Sequence, residues 1–356
     1  MTTKQELSEL RRHSSDRGQT EGTVEEAAGP SRRPLVSIVI SNFNGAGYLR
    51  RCLNALLQLN YSSVEIIVVD AGSTDDSVAI LQSDFSTVKV VEAGRIGIGE
   101  AINIGIRLSR GDLLLLDYNI DEMAAPAFLD RLVDVLQSSE GIGAVGGTRL
   151  LDGTADIVDS MGGIVYLPGY YPRIGQGWKY SDITHKPFEV DYLGHVLVRR
   201  SLLDEVGVFD EDFYVYGEDT DFCIRIRRAG YRILQVPTAV THHAVSGTVG
   251  PGSVRYVYFF ERAHLRLVLK HCPVPMLPIG LALTALVPML YMALRVPIFR
   301  RAISHTSLAH LASRGTASHL RAVVQATSWN LKNLSQTLAS RRHLPPRATH
   351  PRSVDG

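Results

Sequence analysis

Between residues 35 and 121 the sequence repeats one unit, in which a short apolar run is followed by a polar turn and a helical pattern. The apolar runs are Leu35–Ile40, Val64–Val69, Val88–Val91 and Asp112–Leu116. Their length and β-branched content predict strands buried on both faces, as in parallel sheets that are covered by helices. These units predict an α/β fold, a doubly wound, Rossmann-like sheet with helices on both faces.

Polar side chains stand where these predicted strands end. In doubly wound sheets, ligands bind beyond the carboxyl ends of the strands. A single Asp in such a place is more often a turn residue or a helix cap, by roughly three to one, but several polar groups on one rim favour a binding site. The candidates are Asn42, Asn44, Asp70, Ser73, Asp117 and Asn119. No GxGxxG pattern opens the first predicted helix and no GxxxxGK[ST] pattern is present, so dinucleotide and P-loop sites lose their main support.

The stretch Phe209–Gly230 places six carboxylates among apolar and aromatic residues. Its second half predicts a short helix with Glu218, Asp219 and Asp221 in the first turn and Gly230 as a left-handed C-cap. Acids in a first turn commonly serve only to stabilise the helix start. Two tyrosines lead into this helix, and a helix start can aim a carboxylate into a cleft, so a catalytic carboxylate is the sharper interpretation.

The cysteines and the charge distribution limit the compartment and the partners. Three cysteines lie far apart without CxxC spacing, so a disulfide framework or structural zinc site is not expected, and a reducing compartment fits. From Arg295 onward, ten Lys/Arg stand against one acid, Asp355. A basic tail predicts a polyanionic partner. Because this one follows an apolar segment, we expect anionic lipid and no nucleic acid.

Between His271 and Arg295 there is no charged residue. About twenty apolar residues are enough to cross a bilayer, but both flanks are basic and Pro288 permits a bend. We therefore expect the segment to associate with the cytoplasmic face of the cell membrane in a peripheral or re-entrant manner. From Leu320 onward, apolar positions at helical spacing predict an amphipathic helix, which lies either on the membrane or against the α/β domain.

The order of the motifs resembles that of the family 2 glycosyltransferases of the GT-A fold, especially the rhamnosyltransferase-like members that build surface polysaccharides. Singly the motifs are weak, but their shared order and spacing make the match specific. The resemblance covers about residues 34–270, and it is carried by Val36–Asn44, Val68–Asp75, Gly97–Asn103, Leu116–Asn119, Tyr216–Asp221 and His243.

This resemblance implies a nucleotide-sugar donor, UDP- or dTDP-linked, and a lipid-linked or surface glycan as the acceptor. It implies that Asp219 is the general base for the acceptor hydroxyl and that Glu218 orients Asp219 or raises its pKa. An inverting displacement needs a base on one side of the anomeric carbon and charge neutralisation of the departing diphosphate on the other. The donor-binding residues that the resemblance implies are Ser41, Asn42, Asn44, Asp70, Ser73, Asn103 and Asp117.

The resemblance also implies a divalent cation, Mg²⁺ or Mn²⁺, near Asp117, Asn119 and His243, since oxygen ligands suit hard cations. Where the family usually has two acids in a DxD pattern, this chain has Asp117-Tyr118-Asn119. An amide is a neutral ligand and weakens metal affinity. We therefore expect the donor diphosphate and water to supply most of the ligands of the cation. Asp121 is expected to lie too far round the turn to complete the site.

Five regions are expected: a disordered tail (1–33), a GT-A glycosyltransferase domain (34–271), an apolar membrane-associated segment (272–299), an amphipathic helical region (300–340) and a disordered tail (341–356). The predicted function is inverting sugar transfer. A non-catalytic nucleotide-sugar-binding or scaffold protein on the same fold is the alternative, because Asn119 replaces an acid. A nucleotidyltransferase would favour a basic, Gly-rich phosphate loop near the first strand, which the sequence lacks.

Overall fold

The predicted strand–helix units form the first half of the chain in the computed structural model, which describes residues 33–154, 156–166, 171–244, 253–293 and 316–348. The four predicted strands begin and end within a few residues of the observed ones, and a fifth short strand was not predicted. The strands are β1 (Val36–Asn42), β2 (Val64–Asp70), β3 (Lys89–Glu92), β4 (Leu113–Asn119) and β5 (Glu122–Ala124), and the helices are α1 (Ala46–Leu57), α2 (Ser77–Asp84), α3 (Ile98–Leu108) and α4 (Phe128–Gln137).

The second half of the described chain completes the sheet and then becomes helical. Its strands are β6 (Ile142–Leu151), β7 (Val158–Ser160), β8 (Phe188–Glu189), β9 (Val196–Arg199) and β10 (Arg232–His243). Its helices are α5 (Leu202–Val206), α6 (Glu218–Arg228), α7 (Val254–His271), α8 (Leu277–Ala293), α9 (Thr316–Lys332) and α10 (Leu334–Ser340).

Two parts of this half differ from what their sequences predict. The polar sequence of residues 241–248 predicts a loop, but residues 241–243 continue β10, while residues 245–248 lie outside the described ranges. The sequence around Ile164 predicts a short strand, but the structure has isolated bridges at Gly163 and forms β7 instead.

The described strands form one mixed sheet in the order β3-β2-β1-β4-β9-β6-β10-β5, with β7 beside β6 and β8 beside β10. The pairs β1–β2, β2–β3 and β1–β4 are parallel. Strand β9 runs antiparallel to both β4 and β6. The parallel part therefore directs the carboxyl ends of β1, β2 and β4 to one edge, as the sequence predicted.

Successive side chains of a strand point to opposite faces of the sheet, and each face has its own apolar core. In β1, Ile38 and Ile40 pack in the layer that contains residues of α1 and α4, whereas Val39 packs with α3 and α6. Phe222 and Ile226 of α6 are fully buried in the second layer. Burying an apolar side chain contributes roughly 1.5–3 kcal/mol, so this face fixes α6 against the sheet.

The C-terminal helices α9 and α10 pack against α7. Ala322, Ala326 and Asn330 of α9 are buried, and the Asn330 amide donates a 3.1 Å hydrogen bond to the Arg262 carbonyl. Of the two locations expected for the amphipathic helix, the described structure therefore has packing against the α/β domain.

The membrane-associated segment expected at 272–299 is described as far as residue 293. Across the described ranges, no helix combines the length and the apolar character needed to cross a bilayer. Residues 1–32 and 349–356 of the predicted disordered tails lie outside the described residues, as do residues 295–315 of the basic stretch. Residues 341–348, which were also predicted to be disordered, are described and begin with a 3-10 turn at Arg341–His343.

Candidate active site

A pocket lies at the carboxyl ends of β1 and β4, where the sequence predicted a binding site. The end of β1 and the turn that follows form one wall, the end of β4 forms another, and α7 closes a third side. The lining residues are Ser41, Asn42, Phe43, Ala71, Ile96, Ile98, Asn119, Ile120, Asp121, Tyr214, Val215, Arg255 and Phe259. Two of the predicted donor-binding residues, Ser41 and Asn42, therefore face a common cavity with the predicted metal ligand Asn119.

A β-bulge at the end of β4 decides which acid reaches this pocket. Ile38 pairs with Leu115, but Ile40 pairs with Tyr118, so β4 carries one extra residue. Asp117 has a left-handed backbone, φ 58°, which Asp tolerates better than most residues. The bulge brings Asn119 and Asp121 to the pocket and leaves Asp117 out of its lining. Asp121, which was expected to lie too far round the turn to complete a metal site, thus lines the same pocket as Asn119.

Asp70 ties the turns after β1 and β2 together. One carboxylate oxygen accepts from the Ser73 amide at 2.8 Å, and the other accepts from the Asn42 amide at 2.7 Å and the Ser73 hydroxyl at 2.6 Å. The Ser73 hydroxyl also accepts a hydrogen bond from the backbone N–H of Asn44 at 2.8 Å. Asp70 is buried, so its hydrogen bonds shape the wall that contains Asn42 rather than remaining open for a ligand.

Asn103 lies away from the pocket lining and holds α3 to the segment before α6. Its amide donates to the Phe209 carbonyl and to the Glu211 carboxylate, both at 2.9 Å, and its oxygen accepts from the Phe209 amide at 3.0 Å. Both amide hydrogens are used. The structure thus favours a packing role for Asn103 over the predicted donor contact.

A strained turn sets the start of α6. Tyr214, Tyr216 and Gly217 have φ values of 64°, 67° and 85°, a region that is unfavourable for tyrosine. The Tyr214 carbonyl accepts from the Ile98 amide at 2.7 Å, and a Cβ at Gly97 would lie 2.8 Å from that carbonyl. This close approach fixes the first turn of α6 against α3 beside the pocket.

Three carboxyl groups interact where β4 meets the start of α6. Burial, followed by the charges of Glu218 and Asp219, raises the pKa of Asp117 well above its usual range. Burial and then the Asp219 charge raise the pKa of Glu218 to about 8, and burial raises the pKa of Asp219. Glu218 is therefore largely protonated at neutral pH, which leaves Asp219 as the more acidic member of the adjacent pair.

Glu122 anchors a buried cation next to this cluster. It contacts the Arg149 guanidinium at 2.6 Å and His195 Nδ1 at 3.0 Å. Burial alone would raise the pKa of Glu122, but Arg149 and His195 outweigh it and lower that pKa. The charge of Arg149 also opposes the rise in the pKa of Asp117 and of Asp219, although both pKa values remain raised. A side chain at Gly194 would collide with Arg149, since its Cβ would lie 2.1 Å from Nη1.

His243 lies between two carboxylates at the end of β10. Its Nδ1 is 2.9 Å from Asp159 and its Nε2 is 3.4 Å from Asp121. Burial lowers the pKa of His243, but the hydrogen bonds with Asp121 and Asp159 raise it to about 9. A histidine oriented by a carboxylate at one nitrogen, with the other nitrogen facing an acid, is suited to share a cation with that acid.

These side chains supply only part of a metal site. Among the described residues, no group of three His, Cys, Asp or Glu side chains could hold a metal ion. Asp121 and His243 provide an oxygen and a nitrogen, and Asn119 adds an amide oxygen in the same pocket. The donor set thus fits a divalent cation whose remaining ligands come from a bound diphosphate and water.

Several residues of the site escaped the sequence analysis. Arg255 lines the pocket from α7, and the charges of Arg149 and Arg173 act on Asp219. Arg149 is a charged residue within the otherwise uncharged strand β6, and this position could have indicated a functional role. Arg255 and Arg173 stand in no periodic pattern, and only the packing of distant elements brings them to the site.

The sheet and the pocket at its carboxyl edge define the class of protein as an α/β protein of GT-A type. A solved structure of GalNAc-T7 with UDP, GalNAc and Mn²⁺ has a similar fold, with a TM-score of 0.54 and 16% identity. The similarity covers 89% of this chain and 59% of that chain.

Two family models match consecutive parts of the sequence. "Glycosyl transferase family 2" matches residues 37–185, and "Glycosyl transferase family group 2" matches residues 187–299. The chain belongs to the family 2 glycosyltransferases, which confirms the predicted family.

Curated relatives are similar over part of the chain. An uncharacterised glycosyltransferase of Nostoc is 33% identical over 35% of this chain and 39% of its own length. The N-acetylglucosaminyl-diphospho-decaprenol L-rhamnosyltransferase of Mycobacterium tuberculosis is 29% identical over 60% of this chain and 78% of its own length. The chain spans half or less of the length of several other relatives.

Proposed function

We propose that the protein transfers a sugar from a nucleotide-sugar donor to a hydroxyl group of a glycan acceptor, with inversion at the anomeric carbon. The observation that supports this most directly is that two sets of polar groups lie near one pocket. Asn119 and Asp121 line the pocket at the strand ends, while Glu218 and Asp219 begin α6, just after Tyr214 and Val215 of the same lining. Inverting transfer needs one set for the departing diphosphate and one for the attacking hydroxyl.

Asp219 is the proposed general base. It takes the proton of the acceptor hydroxyl as the oxygen attacks the anomeric carbon, and the nucleoside diphosphate leaves with the bonding electrons from the opposite side. The raised pKa of Asp219 makes its carboxylate a stronger base. Glu218, protonated at neutral pH, removes a second negative charge from the immediate neighbourhood.

The donor lies in the pocket between Asn42 and Asn119, with its diphosphate directed to Asp121 and His243. Arg255 is the cation among the described lining residues, so we assign it to the diphosphate. A divalent cation held by Asp121, His243 and Asn119 would neutralise the charge that develops on the leaving group. GalNAc-T7, which is similar in fold, is known with UDP and Mn²⁺.

A lipid-linked glycan is the proposed acceptor class, supported by the name of the mycobacterial relative. We also propose that the chain associates peripherally with the cytoplasmic membrane surface through apolar side chains near α8. Val274, Ile279 and Leu286 are 70%, 56% and 57% exposed. Flotation with anionic vesicles tests this: a chain that stays at the bottom of the gradient with every lipid composition contradicts it.

The function is tested by thermal shift with a panel of nucleotide sugars, followed by assays of nucleoside diphosphate release and sugar transfer. A donor that binds the folded state raises its melting temperature. We expect stabilisation by one donor class and transfer to a synthetic prenyl-diphosphate-linked N-acetylglucosamine or a related glycan. Stabilisation without any release or transfer would indicate a non-catalytic binding protein, whereas no stabilisation by any nucleotide sugar would overturn the proposal.

A further inference from the structure

Five aromatic rings form a continuous stripe along one face of α7, outside the pocket described above. Tyr256, Phe260 and His264 follow each other at four-residue spacing on the helix, and Tyr216 and Tyr171 pack against them. The ring centroids are 5.3 Å apart for Tyr216–Tyr256, 5.4 Å for Tyr256–Phe260, 4.0 Å for Phe260–His264 and 5.4 Å for Tyr171–His264. We refer to these five residues as the aromatic stripe.

The stripe differs from core packing in its exposure. All five of its residues are partly exposed, whereas Phe213 and Phe222, which belong to nearby clusters, are fully buried. Tyr256 and Phe260 stack with an angle of 15° between their rings. Stacked and partly exposed rings on one helix face suit contact with a flat apolar surface of a ligand.

The stripe begins next to the proposed base. Tyr216 precedes Asp219 by three residues, in the strained turn that starts α6. The Asp219 charge contributes to the raised pKa of Tyr171, which belongs to the stripe, and to that of Tyr192. The ring centroids of Tyr171 and Tyr192 are 5.2 Å apart. The nucleotide pocket is bounded by a different set of α7 side chains, Arg255 and Phe259. The turn that leads to Asp219 therefore contributes Tyr214 and Val215 to the pocket and Tyr216 to the stripe.

Polar groups stand near the same base. Arg173 contacts Asp159 at 3.3 Å, and its side chain is 50% exposed. The Arg173 charge lowers the pKa of Asp219 and opposes the rise in the pKa of Tyr216. A guanidinium–carboxylate pair offers donors and acceptors to hydroxyl groups. The region beside Asp219 thus combines aromatic faces with hydrogen-bonding groups.

We propose that the aromatic stripe is the acceptor subsite and that it binds a pyranose ring by stacking. The negative face of an aromatic ring attracts the polarised C–H groups of a sugar, while the sugar hydroxyls at the ring edge remain free for Arg173, Asp159 and the base. The acceptor hydroxyl then faces Asp219 from the side opposite the nucleotide pocket, as inverting transfer requires. This inference rests on the proposed function and adds the binding site for its second substrate.

The experiment measures binding of a panel of methyl glycosides, including glucoside, N-acetylglucosaminide, galactoside, mannoside and rhamnoside, to the full chain saturated with the donor's nucleoside diphosphate. Saturation-transfer NMR reports which sugar protons touch the protein. We expect at least one glycoside to bind through one face of its ring. Tyr256→Ala and Phe260→Ala should each weaken that binding by about 5- to 10-fold, whereas Phe260→Tyr, which keeps the ring, should retain it.

Tyr258→Ala is the matched control, because Tyr258 lies on the same helix but outside the stripe. It should bind the glycoside as the wild type does. Nucleotide affinity, measured for every variant, shows that the fold and the donor pocket are intact and tests the proposed function separately. The inference is overturned if a chain that binds nucleotide binds no glycoside, or if the stripe variants bind it unchanged. Binding of a short prenyl phosphate at the stripe without any glycoside binding would assign the stripe to lipid and likewise overturn it.

Discussion

At the scale of single residues, the environment of Asp219 separates a base from an ordinary helix-start acid. Its carboxylate accepts from the Thr220 hydroxyl at 3.1 Å and from that residue's amide at 2.6 Å. These bonds lower its pKa, but burial outweighs them. The carboxylate thus remains a base while its orientation is fixed from the helix.

Asp219→Asn should keep the fold and the donor affinity but remove transfer. The amide is nearly isosteric with the carboxylate and cannot take the acceptor's proton. Losing a general base typically lowers the rate by about 10²–10⁴-fold. Transfer rates and donor thermal shifts measured side by side test this, and a variant that transfers within a factor of two of the wild type contradicts the assignment.

The raised pKa of Glu218 gives a pH prediction of definite sign. Because the folded state holds this proton up to a pH of about 8, the folded chain binds more protons than the unfolded chain above the usual carboxyl pKa. Stability therefore falls as the pH rises through this window. Glu218→Gln removes this pH dependence. As the pH rises from 6 to 9, the melting temperature of the wild type should therefore fall relative to that of Glu218→Gln. If the melting temperatures of the two proteins change with pH in the same way, Glu218 loses its proton in the folded state at its ordinary pKa.

The bulge in β4 changes which substitution should alter the response to metal. Asp121→Asn removes an acid that faces both the pocket and His243, so we expect the Mn²⁺ concentration for half-maximal activity to rise by about tenfold or more. Asp117→Asn is the matched control on the same strand, and its effect on this concentration should be much smaller. The reverse ranking of the two variants would place the cation at Asp117.

The sequence predicted the residues of this site better than their geometry. Ser41, Asn42, Asn119, Glu218 and Asp219 lie at or beside the pocket because strand ends and helix starts follow from local patterns. The displacement of Asp117 could not be predicted, since a bulge depends on how β4 pairs with β1. Asn103 was misplaced because its partners lie more than a hundred positions away along the chain.

At the scale of elements, helix α6 is fastened to α7 by a buried ionic network. Asp221 is fully buried and contacts Lys270 and His271 at 2.7 Å and Arg225 at 2.9 Å. Lys270 also contacts Asp210 at 2.6 Å. Although burial raises the pKa of Asp221, the charges of Lys270 and Arg225 and the hydrogen bond with His271 lower it well below its usual value. The acid that follows the proposed base by two positions thus holds its helix in place.

Asp221→Ala should destabilise the protein by roughly 3–5 kcal/mol, because it leaves buried cations without their partner. Urea unfolding measures this change. Asp84→Ala is the control, since Asp84 forms an ion pair with Arg50 on the surface, and its effect should be far smaller. Equal effects of the two substitutions would mean that the network contributes nothing particular to stability.

Element types were predictable because apolar periodicity sets them. The short strands β5, β7 and β8 were the exception, since they are held by tertiary pairing rather than by local propensity. Strand β10 was predicted too short because its last residues, His242 and His243, are polar. They pair with Met123 and Glu122 of β5 at the edge of the sheet, which no local pattern shows.

At the scale of the whole molecule, the C-terminal helices belong with the α/β domain. The Arg341 guanidinium donates to the carbonyls of Leu269 and Cys272 at 2.6 and 2.8 Å. The Arg262 guanidinium lies 3.5 Å above the ring of Trp329. The expected boundary at residue 271 would divide these contacts. Arg341, one of the basic residues expected to face anionic lipid, is instead used to join the helices.

Ending the chain after residue 271 should therefore give an unstable product that aggregates and binds nucleotide poorly, because the packed face of α7 becomes exposed. A chain that ends after residue 348 keeps the contacts of α9 and α10, and it serves as the control. Melting temperature and nucleotide affinity distinguish the two. A short form that is as stable as the control would show that α9 and α10 are dispensable.

The contacts of the buried Arg266 guanidinium cannot all form at the same stage of synthesis. It donates to the Thr337 hydroxyl at 2.8 Å, across 71 positions of sequence, and the same group holds Asp210 and Asp212 next to α6. Chains are made from the N-terminus. While residue 337 is still inside the ribosome, a nascent chain already has its sheet and its acidic helix, but Arg266 lacks one of its partners. The proposed base therefore gains its final support only after α10 has left the ribosome and packed against α7.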